Sequence, residues 1–216
     1  RRRELRMLAN LALGSFALNE GENRSAIVAY GKAAQLARED NNVEFLALAL
    51  VQRSLVGGFL NEDTAFSDGE EAAELFGESG DYLGMAQAYG QLAEIHFRRG
   101  EIAQARSLAE QSQEAMRNSD NTYVNAFTFL TSARLARVLG TDMSSAEAQF
   151  RAGYAEFRRL GNRGFAAIML SDLGHLLREA GRRADALEIY REAIREWQDL
   201  GRRAAVANML ENFAFM

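Results

Sequence analysis

Apolar and small residues near the C-terminal end of this chain fall on one face of a helix. Leu170, Leu173, Gly174 and Leu177 occupy the i, i+3, i+4, i+7 positions of a helical stripe. The stripe stops at Gly181-Arg182-Arg183, and a second one carries Ala186, Tyr190 and Ala193 before ending at Leu200-Gly201. The pattern predicts two helices joined by a tight glycine turn.

The same frame recurs upstream. Leu13-Gly14 precede a turn at Gly21, then Ala26, Tyr30 and Ala33. Leu50, Ser54 and Gly57 precede Asn61-Glu62-Asp63, then Ala65, Gly69 and Ala72. Tyr89, Leu92, Ala93 and His96 precede Gly100, then Ala105 and Ala109. Phe129, Ala133 and Ala136 precede Gly140, then Ala146, Phe150 and Gly153, and a last first-helix carries Leu210, Phe213 and Ala214. The anchors Asn10, Leu50, Tyr89, Phe129, Leu170 and Leu210 stand 39 to 41 residues apart. These are internal repeats, at about 3–41, 42–80, 81–120, 121–161, 162–201 and a partial 202–216. The expected fold is all-α: a right-handed α-α superhelix of about five helix-turn-helix repeats plus one extra helix, forming a single repeat domain over 1–216.

Each recurring feature has a physical cause. Small residues at Gly14, Ala93, Ala133 and Gly174 let a paired helix approach closely, and Tyr30, Phe150 and Tyr190 fill the gap from the other side. Gly21, Gly100, Gly140 and Gly181 stand where a helix must end in a left-handed residue. Asp120, Asn121 and Thr122 suit the turn and cap between two units. One pair of helices cannot hide its own apolar face, so the units must stack.

The spacing bulky-x2-Leu-Gly-x2-bulky followed by Ala-x3-aromatic-x2-Ala resembles the tetratricopeptide signature. The ordinary unit of that family has about 34 residues, so the longer period here adds most of a turn to each helix. Junctions at Leu160-Gly161-Asn162-Arg163-Gly164 and Ser79-Gly80-Asp81-Tyr82-Leu83-Gly84 are each followed shortly by Ala. In period and junction style the whole chain is similar to the long repeats of large bacterial signal-transducing regulators of the maltose-activator and LuxR-like types. The resemblance implies a cytoplasmic regulator in which such an array follows an ATP-binding switch module and, in some members, precedes a DNA-binding module. The chain opens on Arg1 and stops inside an apolar helical pattern, Leu210 to Met216, so a piece of a larger protein is expected.

Composition supports the helical reading. Among 216 residues 48% are hydrophobic and there is no proline, which would break helix interiors. A net charge of −5 provides no general field for a polyanion, so direct nucleic-acid binding by this segment is not expected. The lack of cysteine removes disulfides, thiolate metal sites and a cysteine nucleophile together. No uninterrupted apolar run reaches the ~18–20 residues of a membrane span.

Catalytic chemistry finds no foothold. There is no phosphate-cradling GxxxxGK[ST] loop, and Gly57-Gly58 lie in a helical pattern, where a kink or tight packing is expected. His96 occupies an inter-helix packing position and reads as a satisfied core histidine. No HExxH-type motif surrounds His96 or His175, and Asp63, Glu70, Glu71, Asp172 and Glu211 form no acid–base pair by spacing. Arg1-Arg2-Arg3, Arg98-Arg99, Arg182-Arg183 and Arg202-Arg203 recur at helix ends, where cations suit the helix dipole. No enzyme, no metal site and no cofactor is expected.

Binding is the remaining role. In arrays of this family the first helices line a concave groove, and here the expected groove residues are Leu55, Glu94, Phe97, Arg134, Arg137, Ser171, His175 and Arg178. The register also places Leu11, Ser15, Leu18, Val51, Gly58, Gly90 and Leu130 there. Phe97 and Leu55 would anchor apolar side chains, and Arg134, Arg137 and Arg178 would hold carboxylates of an acidic protein or peptide partner. The bland alternative is that the apolar residues close a tight superhelix while the arginines are solvated. The function expected is a protein-interaction scaffold within a bacterial transcriptional regulator. The alternative is an inducer sensor controlling an attached module. The exposed apolar C-terminal helix predicts end-to-end self-association, or loss of order there, in the isolated chain.

Overall fold

The computed structural model describes residues 2–118, 129, 130, 133, 134 and 143–214. All the described regular structure is helical, in two compact units that divide between residues 119 and 120, the expected junction of the third and fourth repeats. The first unit contains α1 (Arg2–Asn19), α2 (Asn23–Glu39), α3 (Val43–Leu60), α4 (Thr64–Ser79), α5 (Tyr82–Arg98) and α6 (Ile102–Arg117). The second contains helical residues at 129, 130, 133 and 134, then α7 (Met143–Arg159), α8 (Arg163–Glu179), α9 (Arg183–Asp199) and α10 (Arg203–Ala214). Asp120, Asn121, Thr122, Ala136, Arg137 and Gly140 lie outside the described residues.

A left-handed residue stands at each described helix–helix turn, about every twenty positions. Gly21, Gly80, Gly100, Gly161, Gly181 and Gly201 have φ between 67° and 79°. Where glycine is missing, Asn41 (φ 52°) and Asn61 (φ 56°) serve, because asparagine tolerates this region better than other side-chain-bearing residues. The helix ends follow the Schellman pattern: at the α8–α9 turn Arg182 N–H donates to Leu177 O at 2.9 Å and Gly181 N–H to Arg178 O at 2.9 Å. First helices also receive side-chain caps at one repeat phase. Asn42, Asp81 and Asn162 accept from Phe45, Gly84 and Phe165 N–H at 3.0, 2.9 and 3.2 Å.

Pairing within a repeat rests on small residues facing large ones. A Cβ on Gly14 would sit 2.5 Å from the Tyr30 ring, and one on Gly174 would sit 2.4 Å from the Tyr190 ring. Both tyrosines are fully buried. Gly57-Gly58 pack tightly inside the uninterrupted α3: a Cβ on Gly57 would meet Ala65 of α4 at 3.1 Å, and one on Gly58 would meet Ile95 of α5 at 2.7 Å. Gly153 of α7 gives the same access to the following first helix, where Met169 of α8 fills the space.

Apolar burial closes the stack. Phe157 and Phe165 stack across the α7–α8 turn with centroids 5.1 Å apart, in a cluster that also holds Leu170, Leu173, Tyr190 and Trp197. Over its 18 residues α3 has the length and mean hydropathy (1.5) of a membrane span, but half of it is buried within the helical packing. Its central Arg53 forms a bidentate ion pair with the buried carboxylate of Asp68 on α4. The Asp68 hydrogen bond raises the Arg53 pKa against the opposing effect of burial. α3 is a core element of the stack.

Two substitutions test this packing. Gly174→Ala should destabilise the chain by about 1–2 kcal/mol, since a rigid Tyr190 ring must move while alanine's helix propensity offsets part of the cost. Gly90→Ala should stabilise it by about 0.5–1 kcal/mol, because a Cβ there meets only Ser112 Oγ at 3.5 Å. Urea titrations of both variants should give midpoint shifts of opposite sign. Breaking the inter-helix pair with Asp68→Ala should cost about 3 kcal/mol by the same measurement.

Candidate functional site

The first helices α1, α3, α5, α8 and α10 carry the expected binding residues. Among the described residues these positions are mostly half-buried and engaged with a neighbour. In the first unit, Leu55 on α3 and Phe97 on α5 are half-buried apolar groups. Glu94 lies 3.7 Å from Arg98 one turn on, and the Arg98 guanidinium lies over the Phe59 ring of α3 at 5.1 Å. Leu11, Leu18 and Gly90 are half-buried, Val51 and Gly58 are fully buried, and Ser15 is exposed. Ser15 Oγ is hydrogen-bonded to Tyr30 Oη at 3.2 Å.

In the second unit the polar residues tie one first helix to the next. Arg134 donates from Nε to Asp172 Oδ2 of α8 at 2.7 Å, and both side chains are largely covered. Arg178 of α8 donates to Asn212 Oδ1 of α10 at 2.9 Å. His175 Nδ1 and Tyr190 Oη are hydrogen-bonded at 2.9 Å, with the rings edge-to-face. Ser171 is buried, donates to Ala167 O at 2.9 Å and accepts from Trp197 Nε1 at 2.9 Å. Its hydroxyl therefore joins α8 to α9 inside the fold. Leu130 is buried as well, and Arg137 lies outside the described residues.

The remaining singled-out groups have structural partners. His96 Nδ1 is hydrogen-bonded to Glu101 Oε2 across the α5–α6 turn, and its ring lies 4.5 Å from Phe66 of α4. Arg99 lies 3.4 Å from Asp63 and its guanidinium sits 4.4 Å over Phe66. Arg182 bridges Asp185 at 2.6 Å and Glu147 of α7 at 2.5 Å. Burial raises the Glu147 carboxyl pKa, but hydrogen bonds from Arg151 and Arg182 outweigh it and bring it below the ordinary value. Among the described residues no three His, Asp or Glu side chains converge as a metal site.

Sequence reading noticed Leu210 and Phe213 but not the second-helix arginines beside them. Arg191, Ile194 and Arg195 of α9, with Leu210 and Phe213 of α10, line a groove of about 320 Å³. Arg191 and Arg195 are one helical turn apart and flank Ile194, a signal that emerges only when α9 and α10 are laid side by side.

The buried phenols provide a pH test. Burial raises the Tyr30 pKa, with the Ser15 hydrogen bond opposing, and burial raises that of Tyr190. A raised folded-state value favours the neutral phenol, so this stability is complete below the ordinary value of 10.0 and falls as pH rises above it. Melting temperature should drop between about pH 9 and pH 11. The Tyr30→Phe plus Tyr190→Phe variant should show a shallower drop.

No protein-family profile matches the chain, and a comparison with curated proteins finds no match. Solved structures do match. A Rap protein complexed with Competence and Sporulation Factor superposes with a TM-score of 0.72 at 16% identity, over 95% of this chain and 57% of its own. A thermophilic TPR protein of Thermus thermophilus gives 0.59 at 20% identity, over 94% of this chain and 98% of its own. A signal transduction ATPase with numerous domains and a tetratricopeptide repeat sensor, from Pyrococcus horikoshii, gives 0.60 at 14% identity. That match covers 98% of this chain and 31% of the ATPase, so the chain spans under two thirds of both the Rap protein and the ATPase. The helix pairs, the left-handed turns and these superpositions together identify the fold as a tetratricopeptide-type α-α solenoid.

Proposed function

We propose that this chain is a protein-interaction scaffold whose first helices bind a peptide segment. The observation that carries the reading is the row of arginine bridges between first helices, Arg134 to Asp172 and Arg178 to Asn212. Each guanidinium holds an oxygen partner from the next repeat, and an incoming carboxylate is chemically equivalent to that partner. Exchange of Asn212 for a ligand carboxylate replaces a neutral acceptor by a charged one, so Arg178 is the more responsive contact. In the first unit, half-buried Leu55 and Phe97 supply apolar contacts near the Glu94–Arg98 pair. Ser171 and His175 support the surface from behind through Trp197 and Tyr190. Arg137 belongs to the proposed set by register alone.

The fold likeness to a Rap protein in complex with Competence and Sporulation Factor supports a binding role. The likeness to the tetratricopeptide sensor of a signal transduction ATPase supports a regulatory one. A cytoplasmic bacterial regulator, acting on transcription through modules attached to this array, remains the proposed setting. The second reading, an inducer sensor, draws on that ATPase and requires a small ligand held by the same arginines.

Native mass spectrometry before and after denaturation separates the two readings: a small molecule released on unfolding favours the sensor, and a bare chain favours the scaffold. The scaffold reading further expects acidic peptides to bind with an affinity that falls about tenfold in Arg178→Glu, a loss of about 1.4 kcal/mol. Unchanged affinity in both Arg178→Glu and Arg134→Glu, with folding verified by circular dichroism, overturns it.

A further inference from the structure

The surface on which α9 lies in the fifth repeat recurs one repeat later with its apolar side open. α9 packs on α7 and α8, where Ile189, Tyr190, Ala193 and Trp197 share a buried cluster with Phe157, Leu170 and Leu173. Tyr154 Oη of α7 donates to Glu192 of α9 at 3.0 Å, and Arg158 donates to Glu196 at 2.9 Å. Moved forward by forty residues, α7 falls on α9 and α8 falls on α10. Under that shift Tyr154 becomes Ile194, Ala155 becomes Arg195, Leu170 becomes Leu210 and Leu173 becomes Phe213. These residues, with Arg191, line the groove of about 320 Å³. Leu170 is 2% exposed under α9, whereas its counterpart Leu210 is 51% exposed.

We propose that this groove binds an acidic amphipathic helix of a partner protein, seated on α9 and α10 as α9 is seated on α7 and α8. The repeat dictates a helical occupant, because the same two-helix platform is covered by a helix one unit earlier. Charge dictates its acidity. The Glu192 carboxylate reaches the covered platform at Tyr154, and the matching carboxylate of the occupant arrives at Ile194, between Arg191 and Arg195. Among the described residues neither arginine has a carboxylate partner, and the Arg191 guanidinium lies 5.7 Å over the Phe213 ring. Ala214 stands where Gly174 admits the Tyr190 ring, so the occupant carries a smaller aliphatic residue at that position. A second copy's exposed apolar helix, α1, fits poorly. It brings Arg2, Arg3 and Arg6 against only Glu4, and so sets like charge against Arg191 and Arg195.

The probe is a fluorescein-labelled peptide with the α9 sequence, residues 183–199, carrying Tyr190→Leu, titrated with the folded chain by fluorescence anisotropy. Saturable binding is expected, and it should weaken about tenfold in the double variant Arg191→Glu/Arg195→Glu, whose exposed side chains can be changed without disturbing the core. A peptide that also carries Glu192→Lys and Glu196→Lys should bind the unmodified chain about tenfold less well and regain affinity on the double variant. Arg178→Glu should leave this binding unchanged, which separates the groove from the first-helix surface proposed above. Binding indifferent to both charge reversals overturns the acidic partner. Absence of peptide binding also overturns the proposal. If sedimentation then reveals concentration-dependent association abolished by Leu210→Ser, the groove belongs to a second copy.

Discussion

The structure depends on how closely the two helices of a repeat approach each other. At Gly14 and Gly174 there is no side chain, and the rings of Tyr30 and Tyr190 occupy the space a Cβ would take. The two contacts are 160 residues apart, four periods of forty, and their geometry is nearly the same. Each tyrosine then turns its hydroxyl outward to a first-helix polar group one position after the glycine, Ser15 in one repeat and His175 in the other. Close packing thus needs an aromatic ring with a polar tip, because a wholly apolar ring would leave that partner without its hydrogen bond.

From this approach distance the rest follows. Two helices so close bury one face against each other and leave the opposite faces apolar, so each pair must be covered by the next. Small residues at the inter-repeat contacts, Gly58 against Ile95 and Gly153 against Met169, carry the same logic between units. Once the helices are stacked, charges on neighbouring second helices come within reach. Arg38 bridges to Glu71 on α4, while Arg158 and Arg163 share Glu196. Partly exposed pairs of this kind add little stability individually. Their effect is to hold repeat register, since a shift of one residue separates every pair at once.

The polar first-helix surface follows from the same stacking. Arg134 and Arg178 project from one first helix to the next because the period is forty residues and both arms span the gap. The final platform, α9 with α10, has the shape of its predecessors but a different lining, with arginines at positions where α7 carries Tyr154 and Ala155 neighbours.

Much of this was legible in the one-dimensional pattern. Helix pairs, turn positions, period and the small-to-aromatic contacts are local in sequence: each is set by residues within about sixteen positions of one another, and periodicity reports which face is apolar. The packing role of Gly57-Gly58 and the partnered state of His96 were readable for the same reason. Asn41 as a left-handed turn residue was not singled out, because asparagine adopts that region without signalling it as glycine does. The candidate site was less legible. Ser171 reads as an exposed first-helix position, and only the fold shows that Trp197, twenty-six residues on, takes up its hydroxyl. Asp172 reads as a solvated carboxylate, and only stacking brings Arg134 to it. The sequence by itself determined the repeat, because helices and turns are decided by near neighbours. Which charges pair, which hydroxyls are buried and which groove stays open were decided by tertiary structure alone, because those groups meet only after a whole repeat has been laid on the last.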